Sequence, residues 1–272
     1  RVMVSLRYEI DNESPEEKKR FIRAMFSSIV PAYDRLNRIL SMGIDVAWRR
    51  SAVRSLGDIA GKAVLDLCCG TGDLSKALSK KGARVVSLDF CPAMIERGIR
   101  RGAIRGSAVV ADTSRLPFRD DSFDMLTIAF GIRNIPDLDN FIRETKRVLK
   151  DHGTLLILEL TRPERRLMAR LHHLYLKRVL PVVGWMVSGR LTAYRYLSKT
   201  VQTFIDPESL EERFAAHGFA CAHTHHTMGI ATIVECVIGG SDGDGRGDER
   251  RTRADEGVST GYSMVQPNRA PL

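Results

Sequence analysis

The chain has 272 residues, of which 43% are hydrophobic and 28% are charged, and its formal net charge at pH 7 is +9. This composition is typical of a soluble globular protein. No apolar run approaches the ~20 residues that a membrane-spanning helix needs, and the charged N-terminus lacks the apolar segment of a signal peptide. Five cysteines, an odd number without regular spacing, are typical of a reducing cytosol. We therefore expect a cytoplasmic protein.

The positive charge lies in the body of the chain. From Ser241 onward six acidic residues accompany five arginines, so the excess of basic residues is upstream. A basic body attracts an anionic partner, which is either a lipid surface or a nucleic acid.

The first predicted element is a helix from about Ser14 to Leu40. Ser14 is placed as its N-cap, Pro15 stands in the first turn and Glu17 completes a capping box. We assign residues 1–60 to an N-terminal helical cap.

From about Ala63 to Glu159, strand-like and helical patterns alternate. Single helices between short strands predict βαβ units. We expect a Rossmann-like, doubly wound α/β fold with a mostly parallel, seven-stranded sheet. The first five strands are predicted near 63–68, 84–89, 107–111, 123–129 and 154–159, and the helices near 73–81, 92–102 and 137–149.

Beyond Glu159 the pattern changes. Residues from about 161 to 200 contain no predicted strand and indicate a helical insertion. A helix near 207–217 and strands near 219–226 and 230–238 follow, and the two strands are too close for a crossover, so they should form an antiparallel hairpin. We predict a main domain over 61–240 and a disordered tail over 241–272, because the tail is rich in Gly, Asp and Arg and poor in aromatic residues.

The most informative stretch is Val64 to Ser75, which reads as a strand, a glycine turn and a helix start. Gly70 and Gly72 permit positive φ and close approach of the backbone to a ligand. A helix starting near Asp73 offers unpaired N–H groups. The third glycine of a dinucleotide fingerprint would stand at position 75, and the Gly-Lys-Ser/Thr ending of a P-loop is also missing. Phosphate binding is therefore disfavoured.

Two carboxylates indicate a different ligand. Asp89 ends the second strand, where a carboxylate accepts hydrogen bonds from ribose hydroxyls, and Asp66 precedes the turn, where it suits an amine. S-adenosylmethionine has ribose, amine and carboxylate groups and no phosphate, so we predict it as the cofactor. Asp112 and Ala129 also end strands and should converge on the same crevice. A glycine turn without a ligand is the alternative.

Further motifs resemble the ubiquinone/menaquinone biosynthesis C-methyltransferase family, which includes demethylmenaquinone methyltransferases. The more specific ones are Phe130-Gly131-Ile132-Arg133-Asn134 and Tyr33-Asp34-x-x-Asn37, whereas the strand and glycine-turn patterns are generic to the methyltransferase fold. The resemblance runs in order from about residue 20 to 239. It implies S-adenosylmethionine as methyl donor and a polyprenylated benzoquinol or naphthoquinol ring as acceptor.

The resemblance also implies cofactor contacts. Ala129 stands where the family often has a hydroxyl residue, so only its backbone is expected to serve. The predicted cofactor site consists of Asp66, Gly70, Thr71, Gly72, Asp89, Phe90, Asp112, Thr113 and Ala129.

The catalytic residues are predicted from the chemistry of a phenol. A ring carbon becomes a nucleophile only when the neighbouring phenol loses its proton. Arg133 is the candidate that stabilises the phenolate, because its guanidinium is far too basic to accept the proton easily. Asn134 is expected to orient the ring, and the base is expected to be Asp34, Tyr33 or a water that they hold.

Each of these residues also has a structural alternative. Arg133 would otherwise pair with Asp137 or Asp139 at the surface. Tyr33 and Asn37, four residues apart on one helical face, would otherwise pack and cap.

No metal is predicted. Cys221, His223 and His225 alternate onto one strand face, but the sequence offers no fourth ligand. The run from Asp242 resembles a calcium loop but has Arg253 where a bidentate Glu is required.

The insertion near Arg162–Trp185 carries basic residues and leucines at helical spacing. It is either a solvated helix that covers the core or a lid that contacts an anionic membrane and admits a prenyl tail. The latter would place the enzyme on the inner face of the membrane. A homodimer is also expected.

Other functions stay open at this point: a methyltransferase for another lipid such as a sterol, an RNA-binding or RNA-modifying protein, and a non-catalytic partner with the same fold. The chain lacks the signature of an RNA-binding module, so no nucleic acid partner is expected.

Overall fold

The computed structural model describes residues 14–239. The predicted tail over 241–272 and the calcium-like run lie outside these residues. The helices are α1 (Pro15–Leu40), α2 (Ile44–Ser55), α3 (Asp73–Lys80), α4 (Pro92–Arg100), α5 (Leu138–Val148), α6 (Arg166–Leu174), α7 (Leu180–Ser188), α8 (Leu191–Thr203) and α9 (Pro207–Ala215). The strands are β1 (Ala63–Leu67), β2 (Arg84–Asp89), β3 (Ser107–Val110), β4 (Phe123–Ala129), β5 (Leu149–Leu160), β6 (Phe219–His226) and β7 (Ala231–Ile238).

The strands described form one seven-stranded sheet in the order β3-β2-β1-β4-β5-β7-β6. The first five are parallel, and β7 is antiparallel to both β5 and β6. The predicted fold class and the C-terminal hairpin are confirmed. Strand order reverses on either side of β1, and in open α/β sheets the ligand crevice lies at the carboxyl ends of strands at such a point.

The core lies on both faces of the sheet. Leu65 of β1 packs with Phe141 of α5 on one face, and its neighbour Val64 packs with Trp48 and Leu74 on the other. Alternating side chains of a strand point to opposite faces, so both must be covered by helices. This accounts for the nearly continuous apolar run in β1.

Helix α1 begins as the sequence predicts. The Ser14 backbone N–H donates to Glu17 at 3.1 Å, and the Glu17 N–H donates to the Ser14 hydroxyl at 3.3 Å, which is a capping box. The inner face of α1 is buried against the helices of the insertion at Ile22, Ile29 and Leu36. The cap therefore faces the insertion.

Strand β5 is longer than the sequence pattern suggests. It begins at Leu149 and not near residue 154, and helix α5 ends one residue before it. Phe123 pairs with Leu149 while Met125 pairs with Thr154, so the ladder contains an irregularity. His152 has φ +57° there. The bulge contains polar residues and a glycine, so the sequence pattern that predicts a strand is absent at the start of β5.

Cys221 and Cys236 form a disulfide, which the cysteine spacing does not suggest. The two residues are partners across the hairpin register of β6 and β7. This corrects the expectation of a wholly reduced set of cysteines. Pairing across strands brings together residues whose separation in sequence carries no regular pattern.

Helices α6 to α8 occupy the predicted insertion, and a π-helical turn at Tyr175–Val179 joins α6 to α7. Within the described part of the chain, no helix is both long enough and apolar enough to span a bilayer. The division into cap, main domain and insertion stays a prediction.

Gly72 yields a stability prediction. It is the N-cap of α3 with φ +83°, and a Cβ there would lie 2.5 Å from Ile104 Cγ1. Gly57 has φ +69° but nothing within 4 Å of a built Cβ. We expect Gly57→Ala to cost about 1–2 kcal/mol of left-handed strain and Gly72→Ala to cost about 1–3 kcal/mol more from overpacking. Urea unfolding measures both.

The additional loss in Gly72→Ala should shrink when Ile104→Ala is added, because that change removes the clashing atoms. Equal destabilisation by Gly72→Ala and Gly57→Ala would contradict the account.

Candidate active site

The glycine turn, Gly70–Gly72, is held by Asp89 at the end of β2. The Gly70 N–H donates to one carboxylate oxygen at 2.9 Å, and the Cys91 N–H donates to the other at 2.8 Å. Burial raises the pKa of Asp89 to about 6. A carboxylate has about four lone-pair sites, so acceptor capacity remains for ribose hydroxyls. Gly70 and Gly72 both have positive φ, as predicted.

Both oxygens of the Asp66 carboxylate accept hydrogen bonds from neighbouring hydroxyl groups. Ser75 donates to one at 2.5 Å and Thr127 to the other at 2.9 Å, and the Ser87 hydroxyl donates to that of Ser75 at 2.9 Å. Burial raises the pKa of Asp66 to about 6. Asp66 nevertheless lines the small hollow at the glycine turn together with Ala129. Its contact with the amine of the cofactor stays a prediction.

The Asp34 carboxylate lies between α1, the glycine turn and the end of α4. It accepts a hydrogen bond from the Thr71 hydroxyl at 2.6 Å and pairs with Arg101 and, at 3.6 Å, with Arg97. Arg101 also contacts Asp73. Asp34 therefore links α1 to the glycine turn, and its role as the base stays a prediction.

A second ion pair ties α1 to the neighbouring strand end. Lys19 lies 2.8 Å from Asp112, and the Ser114 N–H donates to the same carboxylate at 2.8 Å. Burial alone would raise the pKa of Asp112, but these contacts outweigh it and lower the pKa. Thr113 is buried beside it, and Phe90 packs against the cluster that α1 shares with the insertion.

A larger cavity of about 370 Å³ lies between α1, the strand ends and the insertion. Its wall is mostly apolar. Tyr33 and Arg49 line both this cavity and the hollow at the glycine turn, so the two spaces adjoin there. We call it the acceptor cavity. Its lining includes Met25, Phe26, Ile29, Tyr33, Asn37, Arg49, Phe130, Arg133, Asn134, Leu160, Met168, Leu171, His172, Leu176, Tyr194 and Tyr196.

Arg133 pairs with Glu159 in the cavity wall. Both side chains are almost fully buried, and burial raises the pKa of Glu159 even though Arg133 opposes the shift. The surface alternative is wrong, because Asp137 caps α5 and Asp139 pairs with another arginine. Sequence reasoning missed this role of Glu159, although its place at the end of a parallel strand was a usable signal.

Asn134 lines the same cavity. The Tyr196 hydroxyl donates to the Asn134 side-chain oxygen at 3.0 Å, so the amide nitrogen is left to donate to a ligand. Burial raises the pKa of Tyr33, which keeps its phenol protonated at neutral pH. Tyr33 is therefore suited to donate a hydrogen bond and not to act as the base.

His172 is a cavity residue that sequence reasoning missed. It is buried, and burial lowers the pKa of its ring, so at neutral pH it is uncharged and can accept a proton. The signal was its spacing, four residues after Met168 and four before Leu176, since all three line the cavity. Positions four apart share one helical face.

Comparison with known proteins agrees with this geometry. The model of the ubiE/COQ5 methyltransferase family matches residues 13–237. The chain is 44% identical over 214 residues to the demethylmenaquinone methyltransferase of Thermus thermophilus, covering 77% of this chain and 97% of the relative. It is 41% identical over 228 residues to the ubiquinone/menaquinone biosynthesis C-methyltransferase UbiE of Geobacter sulfurreducens, covering 80% and 88%.

Solved structures show the same fold at low identity. A SAM-dependent methyltransferase from Aquifex aeolicus aligns with a TM-score of 0.51 and 17% identity over 70% of this chain and 89% of that one. One from Thermotoga maritima, described as a possible histamine N-methyltransferase, aligns with a TM-score of 0.58 and 16% identity over 79% and 99%.

The family match and the relatives favour quinone biosynthesis over the sterol and RNA alternatives. The predicted family, fold and cofactor are confirmed. The chain belongs to the ubiE/COQ5 methyltransferase family and is an S-adenosylmethionine-dependent C-methyltransferase.

Proposed function

We propose that the enzyme methylates a ring carbon of a polyprenylated quinol, with demethylmenaquinol as the first acceptor to test. The observation that carries the proposal is the apolar acceptor cavity, which meets the glycine turn at Tyr33 and Arg49 and has Arg133 in its wall. The cavity suits an aromatic ring with an apolar tail. Among relatives, the Thermus thermophilus protein is named a demethylmenaquinone methyltransferase.

The cofactor would be held at the carboxyl ends of β1 to β4. S-adenosylmethionine supplies an electrophilic methyl group on a sulfonium. Asp89 would accept hydrogen bonds from the ribose, while Gly70 and Gly72 would let the backbone approach the cofactor on either side of Thr71. Phe90, Asp112, Thr113 and Ala129 complete the proposed site, and Asp66 lines the hollow at the glycine turn.

Arg133 would stabilise the phenolate that activates the ring. Glu159 holds the guanidinium in place, so its charge is fixed before the substrate arrives, which is the condition under which electrostatic stabilisation is most effective. Asn134 would hydrogen-bond a ring oxygen. His172, neutral in the cavity wall, would accept the phenolic proton directly or through a water, in place of the predicted Tyr33 and as an alternative to Asp34.

The insertion would contact an anionic membrane surface and admit the prenyl tail there. Leu171 lines the acceptor cavity and is also 53% exposed, so the cavity reaches the outer surface of α6. Around Leu171, this surface carries exposed large apolar side chains together with basic side chains. We call this surface the insertion patch; it comprises Arg165, Arg166, Leu167, Arg170, Leu171, Leu174, Val182, Trp185 and Met186.

This arrangement would let the substrate stay partly in the membrane during the reaction. Basic residues near an anionic surface each contribute about 1 kcal/mol, and exposed leucines add hydrophobic anchoring. A cytoplasmic enzyme on the inner face of the membrane, and a homodimer, stay predictions.

Asp89 gives a pH-dependent prediction for cofactor affinity. Its carboxylate is ionised above a pKa of about 6, so cofactor affinity should be full above that pH and fall as the pH drops through it. Asp89→Asn should weaken binding about 10- to 100-fold at pH 7.5, since a hydrogen bond to a charged group contributes about 1.5–3 kcal/mol. Calorimetry with S-adenosylmethionine from pH 7.5 to 5 measures both effects.

Asp124→Asn is the control for loss of one carboxylate, because Asp124 accepts from the Ala63 N–H at the start of β1, at the edge of the sheet opposite the glycine turn. It should keep the wild-type affinity and pH dependence. Wild-type affinity in Asp89→Asn, or an equal loss of affinity in Asp124→Asn, would refute the assignment.

Arg133 gives a catalytic prediction. Arg133→Gln should lower kcat by about 100-fold, as removal of an oxyanion-stabilising donor does, and leave the cofactor Kd unchanged. Glu159→Gln should cause a smaller loss, because the guanidinium remains but is less firmly held. Steady-state assays with reduced demethylmenaquinone and labelled donor measure kcat for each variant.

The exposed Arg119, changed to Gln, is the control for loss of one positive charge. A kcat of Arg133→Gln within about twofold of the wild-type value would contradict the role of Arg133 in stabilising the phenolate.

The insertion patch gives a binding prediction. Arg165→Glu/Arg166→Glu should weaken co-sedimentation with phosphatidylglycerol vesicles by about 10-fold or more, and Leu167→Ser/Met186→Ser should weaken it independently of charge. Ile99, 52% exposed on α4, changed to Ser, should have no effect. Binding that ignores anionic lipid content and both double substitutions would disprove the contact.

A further inference from the structure

A cluster of histidines and carboxylates lies on the outer hairpin, away from the acceptor cavity. One candidate ligand atom from each of Glu208, His223 and His225 lies within 4.8 Å of the other two. His223 and His225 alternate along β6, and Glu208 belongs to the first turn of α9. The sequence offers no fourth ligand near the two histidines, but folding brings several carboxylates to them.

The hydrogen bonds around His223 leave one ring nitrogen available. Its Nδ1 lies 2.9 Å from a Glu211 oxygen, and because a carboxylate only accepts, Nδ1 carries the proton. In a neutral ring the Nε2 lone pair is then free, and Nε2 lies 3.5 Å from Glu208. This is the arrangement by which an outer carboxylate orients a metal-binding imidazole.

The tautomer of His225 is fixed by a chain of hydroxyl groups. Thr161 donates its single hydroxyl proton to the Gly229 carbonyl at 2.9 Å. The Thr232 hydroxyl, 2.7 Å from that of Thr161, must therefore donate to it. Thr232 is then left to accept from His225 Nδ1 at 2.9 Å. His225 Nε2 is consequently the free nitrogen, and it lies 3.2 Å from Glu164.

Both rings therefore present Nε2 to a carboxylate, with Nδ1 held from behind. In tetrahedral zinc sites, bonds of about 2.0–2.1 Å place neighbouring ligand atoms about 3.3 Å apart. The 3.5 Å between His223 Nε2 and a Glu208 oxygen is close to that spacing, and the ligand atoms of His223, His225 and Glu208 all lie within 4.8 Å of one another. Two imidazoles and one carboxylate, with a water in the fourth position, suit Zn²⁺ and similar divalent transition metals.

We propose that His223, His225 and Glu208 bind a divalent transition metal, with Glu211 and Thr232 positioning the two imidazoles. The metal would join the start of α9 to the edge strand β6. The Glu164 carboxylate, which lies beside His225 Nε2, is outside this three-ligand group.

The test uses the full chain without an affinity tag, stripped with a chelator and titrated calorimetrically with Zn²⁺. We expect one equivalent to bind and the thermal midpoint to rise with metal. His223→Ala/His225→Ala should weaken binding by at least about 100-fold, and Thr232→Val by about 10-fold, since loss of an outer-shell partner commonly costs 10- to 100-fold. Co²⁺ should give the intense ligand-field absorption of a tetrahedral site.

His226→Ala is the matched control, because His226 lies on the same strand but on its other face, and it should bind Zn²⁺ within about twofold of wild type. Glu208→Gln provides a second ligand variant that keeps the side-chain shape, and it should bind more weakly. The proposal fails if the wild type takes up no equivalent of Zn²⁺, or if the double histidine variant binds as tightly as the wild type. In either case the cluster is only a set of ion pairs.

Discussion

The position of α1 depends on the carboxylate of Asp34. Thr71 donates to it from the glycine turn, and Arg97 and Arg101 pair with it from α4 and the residue that follows. Together with the Lys19–Asp112 pair, this contact fixes the cap over the carboxyl ends of the strands. Without α1 the acceptor cavity would lose the wall that contains Tyr33. The cofactor turn and the acceptor cavity are therefore parts of one arrangement.

The wall of the acceptor cavity is mostly apolar, with a buried ion pair at Arg133. The buried pair of Arg133 and Glu159 is costly to desolvate, and such pairs seldom add stability over apolar packing. Its presence is better explained by chemistry, because a fixed guanidinium stabilises an anion on the ring oxygen without reorganising. Methyl transfer requires mainly that the donor methyl group and the ring carbon are aligned and that water is excluded. Alignment contributes several kcal/mol. The apolar walls provide both.

Much of the fold could be predicted from local pattern. The glycine turn, the alternation of strands and helices, and the short link between the last two strands each reflect rules that act within about 30 residues. The β5 bulge and the Cys221–Cys236 disulfide could not be found this way, since both depend on register between strands. The cofactor side of the site follows strand ends, which are visible in sequence.

The roles of single side chains were harder to predict. Asp34 matched a specific motif, but its partners Arg97 and Arg101 lie more than sixty residues away in sequence, so its structural role in positioning α1 could not be predicted. Glu159 became the partner of Arg133 because β5 lies beside β4 in the sheet. His172 enters the cavity because the insertion folds back onto α1. Each depends on tertiary packing that local patterns do not encode.

The central claim is that this enzyme methylates a prenylated quinol ring. The most direct measurement incubates the full chain with donor labelled in the methyl group and a panel of reduced demethyl quinones, a sterol and RNA, followed by analysis of the labelled product. The account predicts label on a ring carbon of a prenylated quinol, and loss of that product in Arg133→Gln with cofactor binding intact. Label in RNA or sterol, with none in any quinol, would contradict it.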